Sequence, residues 1–282
     1  MIDLDKNQLN GVKPSITMEQ HKHSFTKSEK KIYEYIQSNS QQVLYHSLTE
    51  LSEESGVAEA TVLRFFRKLG FKGFQDFKFL FAQEVTVDDD NDHNETYADK
   101  IKYNMMQAIE NSHEIIDYDE LQKCVDAIDA ARDVVLFGVG SSGIAVLDMQ
   151  NRLMRIGKHV GAVTDPHFQF MRASSMDKDT VVIAVSLTGS TKDIVDSVEI
   201  AKQQNATVIA LTNYIKSPLT QFADHVLLSS AKESPLDSGS LVAKVSQLFL
   251  IDLVCTGLTI KNYDNAEKVK MGISRNTARK LY

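Results

Sequence analysis

A chain of 282 residues, 43% hydrophobic and 24% charged, is long enough for two domains and apolar enough for ordinary globular cores. Its net charge of -7 is unevenly spread, so the acidic total does not exclude a locally basic surface for nucleic acid. Two cysteines, Cys124 and Cys255, supply neither a disulfide framework nor zinc-ligand spacing, which fits a reducing cytoplasm, and "MIDLDKNQLNGVKPS" lacks the basic start and apolar core of a signal peptide, so it is not expected to be one.

Residues 1–85 carry eleven Lys and Arg against eleven Asp and Glu, and from residue 24 they read as short helices with no convincing strand. In "FTKSEKKIYEYI" Thr26 and Glu29 have capping-box spacing, ahead of an apolar face of Ile32, Tyr33, Tyr35 and Ile36. "LTELSEESGVAEATVLRFFR", Leu48 to Arg67, has the spacing of a helix-turn-helix. Gly56 sits where the turn needs positive φ, Ser52 where two helices approach closely, and Leu51, Val57, Val62 and Phe65 where they share a core. The second helix then offers Glu59, Thr61, Arg64, Arg67 and Lys68 outward, with Lys72 beyond it. Its first half would read base edges in the major groove of duplex DNA, and the basic residues near its end would hold phosphates. Ala58 to Val85 carries five bases (Arg64, Arg67, Lys68, Lys72, Lys78) against three acids, a modest electropositive patch.

"TVDDDNDHNET", 86–96, is acidic and almost free of aliphatic residues, so it reads as a linker. Helices are expected over 97–116 and 118–131. Strand-like runs then alternate with helices: "DVVLFGV" and a helix 143–156, "KHVGAVT" and 166–174, "TVVIAVS" and 190–204, "ATVIALT" and 217–223, "HVLLSS" and 239–259. Five such runs with helical crossovers predict a five-stranded parallel sheet sandwiched by helices. Leu241 to Ile260 is apolar but interrupted by Lys244, Gln247 and Asp252, so it reads as a buried helix rather than a membrane span. The expected architecture is an all-α helix-turn-helix domain over 1–85, a linker over 86–96 and an α/β domain with a C-terminal tail over 97–282.

Two loops follow strands of that sheet. "FGVGSSG" places Gly138, Gly140 and Gly143 in G-x-G-x-x-G order, with Asp165 ending the next strand-like run. This is the dinucleotide pattern, and it leaves a dinucleotide-sensing redox regulator open. "SLTGST" holds Ser186, Thr188, Gly189, Ser190 and Thr191. A helix cap made by Ser190 with Asp193 explains two residues and leaves Ser186, Thr188 and Thr191 without a role. Hydroxyls at a helix N-terminus beyond a parallel strand suit a phosphate, and a facing hydroxyl from Ser142 suits a sugar. Sugar-phosphate isomerase chemistry needs a general acid or base. The candidates His159, His167, Glu233 and Asp237 lie in no recognisable motif, so a non-catalytic sensor is expected, with no cofactor or metal; a sugar-phosphate isomerase with an accessory helical domain stays open as the alternative.

"FTKSEKKIYEYI … LTELSEESGVAEATVLRFFRKLGFKGFQDFK" resembles the N-terminal domain of the RpiR family of bacterial transcriptional regulators. It departs at Ala58, where that family usually places a serine able to cap the recognition helix. "GVGSSG" and "SLTGSTKD" are similar to the ligand loops of the SIS (sugar isomerase) domain, and the likeness covers about residues 130–260. The resemblance implies ligand contact at Ser142 and phosphate contact at Ser186, Thr188 and Thr191, with Ser190 nearby; Leu187 departs from the polar residue some SIS enzymes carry. It further implies a cytoplasmic regulator without membrane attachment that binds double-stranded operator DNA and a small phosphosugar effector as a homodimer or higher homo-oligomer.

Overall fold

The computed structural model describes residues 13–85, 96–231 and 241–278. The chain forms two compact units, the first running to Tyr97 and the second starting at Ala98. Apart from Thr96, the expected linker 86–96 lies outside the described residues.

The first unit contains α1 (Pro14–His21), α2 (Lys27–Ser38), α3 (Ser40–Val43), α4 (Leu48–Ser55), α5 (Glu59–Lys68) and α6 (Phe74–Val85). The Thr26–Glu29 capping box forms as its spacing predicts, and Ser47 with Glu50 forms a second at the start of α4. α1 has no counterpart among the sequence-based expectations. Pro14 stands in its first turn, where a missing N–H is harmless, and Met18 on it is fully buried. Ile32, Ile36, Leu51, Val62, Phe65, Phe66 and Phe77 have no or almost no exposed surface. The Phe66 ring stacks on Phe74, with centroids 5.3 Å apart, and lies tilted against Phe77, with centroids 4.6 Å apart, so α6 is held on α5 by aromatic contacts.

The second unit begins with α7 (Tyr97–Glu114, whose first residue belongs to the first unit) and α8 (Tyr118–Ala130). Then come β1 (Asp133–Phe137), α9 (Gly140–Arg155), β2 (Val160–Val163), α10 (Pro166–Ala173), β3 (Thr180–Val185), α11 (Lys192–Gln203), β4 (Thr207–Thr212), β5 (His225–Leu228), α12 (Leu241–Lys261) and α13 (Tyr263–Thr277). All neighbouring strands pair in parallel, in the order β2-β1-β3-β4-β5. β3 is buried at every position, as a strand covered on both faces must be. On one face Val134, Leu136, Val181, Ile183 and Ile209 pack with α8, α9 and α12. On the other Val135, Phe137, Val182, Ala184 and Val208 pack with α10 and α11.

This order places a reversal between β1 and β3: the chain leaves β1 toward β2 on one side and returns to β3 on the other. In open parallel sheets the crevice at such a reversal, beyond the carboxyl ends of the strands, is where ligands bind. Phe137 pairs with Ala184, so the loops after β1 and β3 start side by side.

Two expected elements differ. The segment 217–223 forms turns instead of a helix, because its backbone serves the neighbouring loop: Leu219 N donates to Gly189 O at 2.9 Å, and Ser217 N donates to Thr220 Oγ1. The stretch expected as a tail contains α13. α12 is long and apolar enough to cross a membrane by length and composition alone, yet Leu250, Ile251, Val254 and Leu258 on it are buried in the core.

Candidate functional site

In the helical unit, α4 ends at Gly56, whose φ of 64° is the left-handed cap that the turn requires. Val57 N donates to Ser52 O at 3.0 Å and Ser52 Oγ donates to Val57 O at 2.5 Å, so the small residue of the turn also staples it. α5 starts at Ala58 without a side-chain cap, as the missing serine implies. Val62, Phe65 and Phe66 turn inward, and Ala60, Arg64, Arg67 and Lys68 are exposed on the opposite side.

The outward residues do not all stand free. The Glu59 carboxylate accepts from the Thr49 hydroxyl and so ties α5 to α4. Arg64 Nη2 donates to Thr61 Oγ1 at 3.2 Å, which leaves the rest of its guanidinium for a partner outside. Lys68 donates to Ser24 O at 3.1 Å and to Glu29 at 2.9 Å, and lies over the Phe25 ring. Lys78, counted above in the electropositive patch, is not on the surface. It is 3% exposed, donates to His46 O at 2.8 Å and sits 4.9 Å from the Phe74 ring centroid. Burial pushes its amine down to about 8, with Glu50 acting weakly in the opposite direction. The basic surface therefore reduces to Arg64, Arg67 and Lys72, with Lys68 committed to Glu29. Lys31, on α2, also reaches the turn: its Nζ would lie 3.9 Å from a Cβ placed at Gly56, a proximity that the sequence separation hides.

In the second unit the "SLTGST" loop is built on a tight turn. Gly189 has φ +58°, and a Cβ there would stand 2.5 Å from Ser217 Cβ and 3.1 Å from Thr212 Oγ1, so glycine is required on both counts. Thr212 Oγ1 and Asn213 N both donate to Leu187 O, which braces the loop from the end of β4. Ser186 is 2% exposed, and its Oγ lies 3.1 Å from Thr191 Oγ1. Ser190 does not cap the helix: α11 begins after Thr191, and no side chain caps it. Ser190 Oγ donates to Thr188 O and Ser190 N donates to Thr188 Oγ1, so this pair closes the turn on itself. The predicted cap fails because the glycine turn uses Ser190 locally and moves the cap position to Thr191, whose hydroxyl meets Ser186 instead. Ser190→Ala is therefore expected to cost less than about 1 kcal/mol, the worth of one ordinary hydrogen bond. Gly189→Ala should cost about 2 kcal/mol or more from strained backbone and overpacking. Thermal unfolding of the two variants checks this; equal midpoints would show a loop that tolerates a Cβ.

The neighbouring loop contributes Ser142, in the first turn of α9. Its Oγ accepts from Gln247 Nε2 of α12 at 3.1 Å, a partner that sequence spacing does not reveal. The three glycines have local reasons, packing for Gly138 and Gly143 and backbone conformation for Gly140. A Cβ at Gly138 would stand 2.7 Å from Ser142 O, Gly140 has φ +55°, and a Cβ at Gly143 would press on Thr164 at 3.3 Å. Asp165 caps α10, accepting from Phe168 N at 3.0 Å, so it has a local structural task. Among the helices that follow β1, β2 and β3, α10 has this side-chain cap, and α9 and α11 have none. The first N–H groups of the two helices flanking the reversal are thus left to another acceptor.

Of the acid-base candidates, His159 and His167 are exposed, and Glu233 and Asp237 lie outside the described residues. Burial pushes the Cys124 and Cys255 thiols up to about 12, which removes their nucleophilicity. A cavity of about 470 Å³ between α9, α12 and α13 is lined by Asp148, Arg152, Arg155, Asp252 and Lys270. Arg152 already pairs with Asp148 and Asp252, and no hydroxyl-loop residue lines this cavity.

Comparison with known proteins matches both units to known families. Residues 13–87 match the family model of the helix-turn-helix domain, rpiR family, and residues 127–257 match that of the SIS domain. An uncharacterised HTH-type transcriptional regulator of Clostridium perfringens is 36% identical over 265 residues, 90% of this chain and 95% of that protein. One from Haemophilus influenzae is also 36% identical, over 88% of this chain and 90% of its own length. The structure of the Vibrio vulnificus NanR protein complexed with ManNAc-6P superposes with a TM-score of 0.86 at 26% identity, covering 95% of this chain and 99% of that one.

Proposed function

The chain belongs to the rpiR family of helix-turn-helix transcriptional regulators, and from that premise we propose that its SIS domain binds a phosphosugar and thereby alters the hold of the helical unit on operator DNA. The observation that carries the ligand reading is the pair of uncapped helix starts, α9 and α11, on either side of the reversal between β1 and β3, with serine and threonine hydroxyls gathered there. Free N–H groups and a partial positive charge favour a phosphate, and hydroxyls add donors without bulk. Ser186, Thr188, Ser190 and Thr191 would surround the phosphate, and Ser142 would face the sugar. The NanR structure holding ManNAc-6P supports the same ligand class here.

On the DNA side, α5 is the recognition helix. Thr61 and Arg64 would meet base edges; Arg67, Lys72 and Lys31 would hold phosphates; Glu59 and Lys68 serve mainly to fix the helix. A symmetric dimer would present two such helices to an operator with two-fold character. The sugar acts through its differential affinity for two arrangements of the protein, since no other free energy is available to move the DNA-binding units. The SIS domain is assigned no catalytic step, and the protein works in the cytoplasm, where operator DNA is found.

The test has two arms. Selection from a random duplex pool with the full chain should return an enriched sequence. A thermal-shift panel of ManNAc-6P, glucosamine 6-phosphate, glucose 6-phosphate and fructose 6-phosphate should return a stabilising ligand, worth about 2.7 kcal/mol at 100 times its Kd. On the selected operator, Arg64→Ala should relax one base position by about 1–3 kcal/mol, and Lys72→Ala should weaken all sequences alike and flatten the salt dependence. A pool with no enriched sequence, with and without sugars, would refute the DNA arm; a panel with no binder would refute the ligand arm.

A further inference from the structure

We propose that Gln247 is a positioning residue that fixes Ser142 as a hydrogen-bond donor toward an oxygen of the bound sugar phosphate. The inference rests on the phosphosugar reading and extends it. α12 turns Ala243, Leu250, Ile251, Val254 and Leu258 into the core, and Gln247, 3% exposed, stands on the same inward side. An amide in such surroundings is costly unless hydrogen-bonded, and its Nε2 donates to Ser142 Oγ at 3.1 Å. A serine hydroxyl has one hydrogen and two lone pairs. With the Gln247 N–H occupying a lone pair, the Ser142 hydrogen must point elsewhere, and among the described residues it meets no acceptor.

Ser142 is half-buried, in the first turn of α9, on the loop that starts beside the "SLTGST" loop. An acceptor arriving at the reversal between β1 and β3 is what its hydrogen can reach. A phosphate oxygen and a sugar hydroxyl or acyl oxygen share this chemistry. Gln169 holds the same loop at its other end: buried on α10, it donates through Nε2 to Val163 O at 2.7 Å and to Gly138 O at 3.3 Å. The loop is thus clamped at Gly138, and the orientation of Ser142 is left to Gln247.

The experiment is calorimetric titration of the full chain with the tightest binder among the four sugar phosphates above, using Ser142→Ala, Gln247→Leu and the double variant. Each single change should weaken binding about tenfold, and the double variant should bind no more weakly than Ser142→Ala, because Gln247 acts through Ser142. Thermal midpoints should barely move for Gln247→Leu, since an apolar side chain replaces a buried amide. Gln247→Glu, similar in size but able only to accept when ionised, should also bind weakly, and parent-like affinity in that variant would refute the donor assignment. Additive losses in the double variant would show Gln247 acting independently of Ser142 and would overturn the proposal. If Ser142→Ala and Gln247→Leu bind like the parent while Ser186→Ala/Thr191→Ala does not, the phosphosugar reading stands and this inference falls. If none of the four sugars binds the parent chain, both fall together.

Discussion

Replacing Ser186 and Thr191 together by alanine should weaken phosphosugar binding by roughly a hundredfold and leave unliganded DNA affinity unchanged. The two hydroxyls lie 3.1 Å apart, one at the end of β3 and the other at the start of α11. Thr191 occupies the cap position without using its side chain as a cap, so its removal should not loosen the helix start. Each hydroxyl that donates to a phosphate oxygen is worth about 1.5 kcal/mol at the low end for a charged partner, and two give about 3 kcal/mol. Because the pair bond to each other, the single variants should depart from additivity. The thermal midpoint of the double variant should fall by only a few degrees, the share of one neutral hydrogen bond in a unit of this size. Calorimetry with the sugar, beside unfolding scans without it, separates the two effects. A variant that loses stability but binds as tightly as the parent would move the ligand site away from this loop.

The second large effect concerns Lys78. Its amine is buried against Phe74 and the His46 carbonyl, and burial lowers it from 10.5 to about 8. Between those values the unfolded chain binds a proton that the folded chain does not. The slope of stability with pH is therefore positive across this window: stability rises from pH 8 to 10.5, by about 3 kcal/mol for this group. Below pH 8 both states are protonated and the cost of the buried charge is present in full. Other lysines and the tyrosines titrate in the same range, so the comparison is with Lys78→Met. The parent should gain stability relative to that variant as pH rises, read by urea unfolding and by hydrogen exchange of amides in α4, α5 and α6. Parallel pH profiles for the two proteins would show that the amine is hydrated and keeps its ordinary pKa.

Much of the architecture is legible in local spacing, because local interactions decide it. The Thr26–Glu29 box, the glycine at 56, the alternation of β-rich and helical runs and the inward residues of α5 all depend on neighbours within about one helical turn or one strand. The hydroxyl loops and the parallel sheet that places them side by side were readable for the same reason, and the uncapped start at Ala58 follows from a single residue type.

Side-chain assignments within those elements were less secure, because hydrogen-bonding groups choose partners across space. Ser190 looked like a cap from its spacing to Asp193, but the turn at Gly189 gives it Thr188 and passes the cap position on. Lys68 and Lys78 looked like surface charges by composition. Lys68 meets Glu29, 39 residues away, and Lys78 meets His46, 32 residues away. Gln247 carried no signal at all beyond interrupting an apolar run, since its partner Ser142 is 105 residues away. The expected helix at 217–223 failed because the backbone of that segment supports Gly189, a contact that no local pattern encodes. The sequence by itself thus determined most of the elements, their order and the hydroxyl-bearing loops, through interactions a few residues long; which hydroxyls bond to one another, which cations face solvent and which side chain donates to Ser142 were decided only when tertiary packing brought distant donors and acceptors within about 3 Å of one another and removed the rest from water.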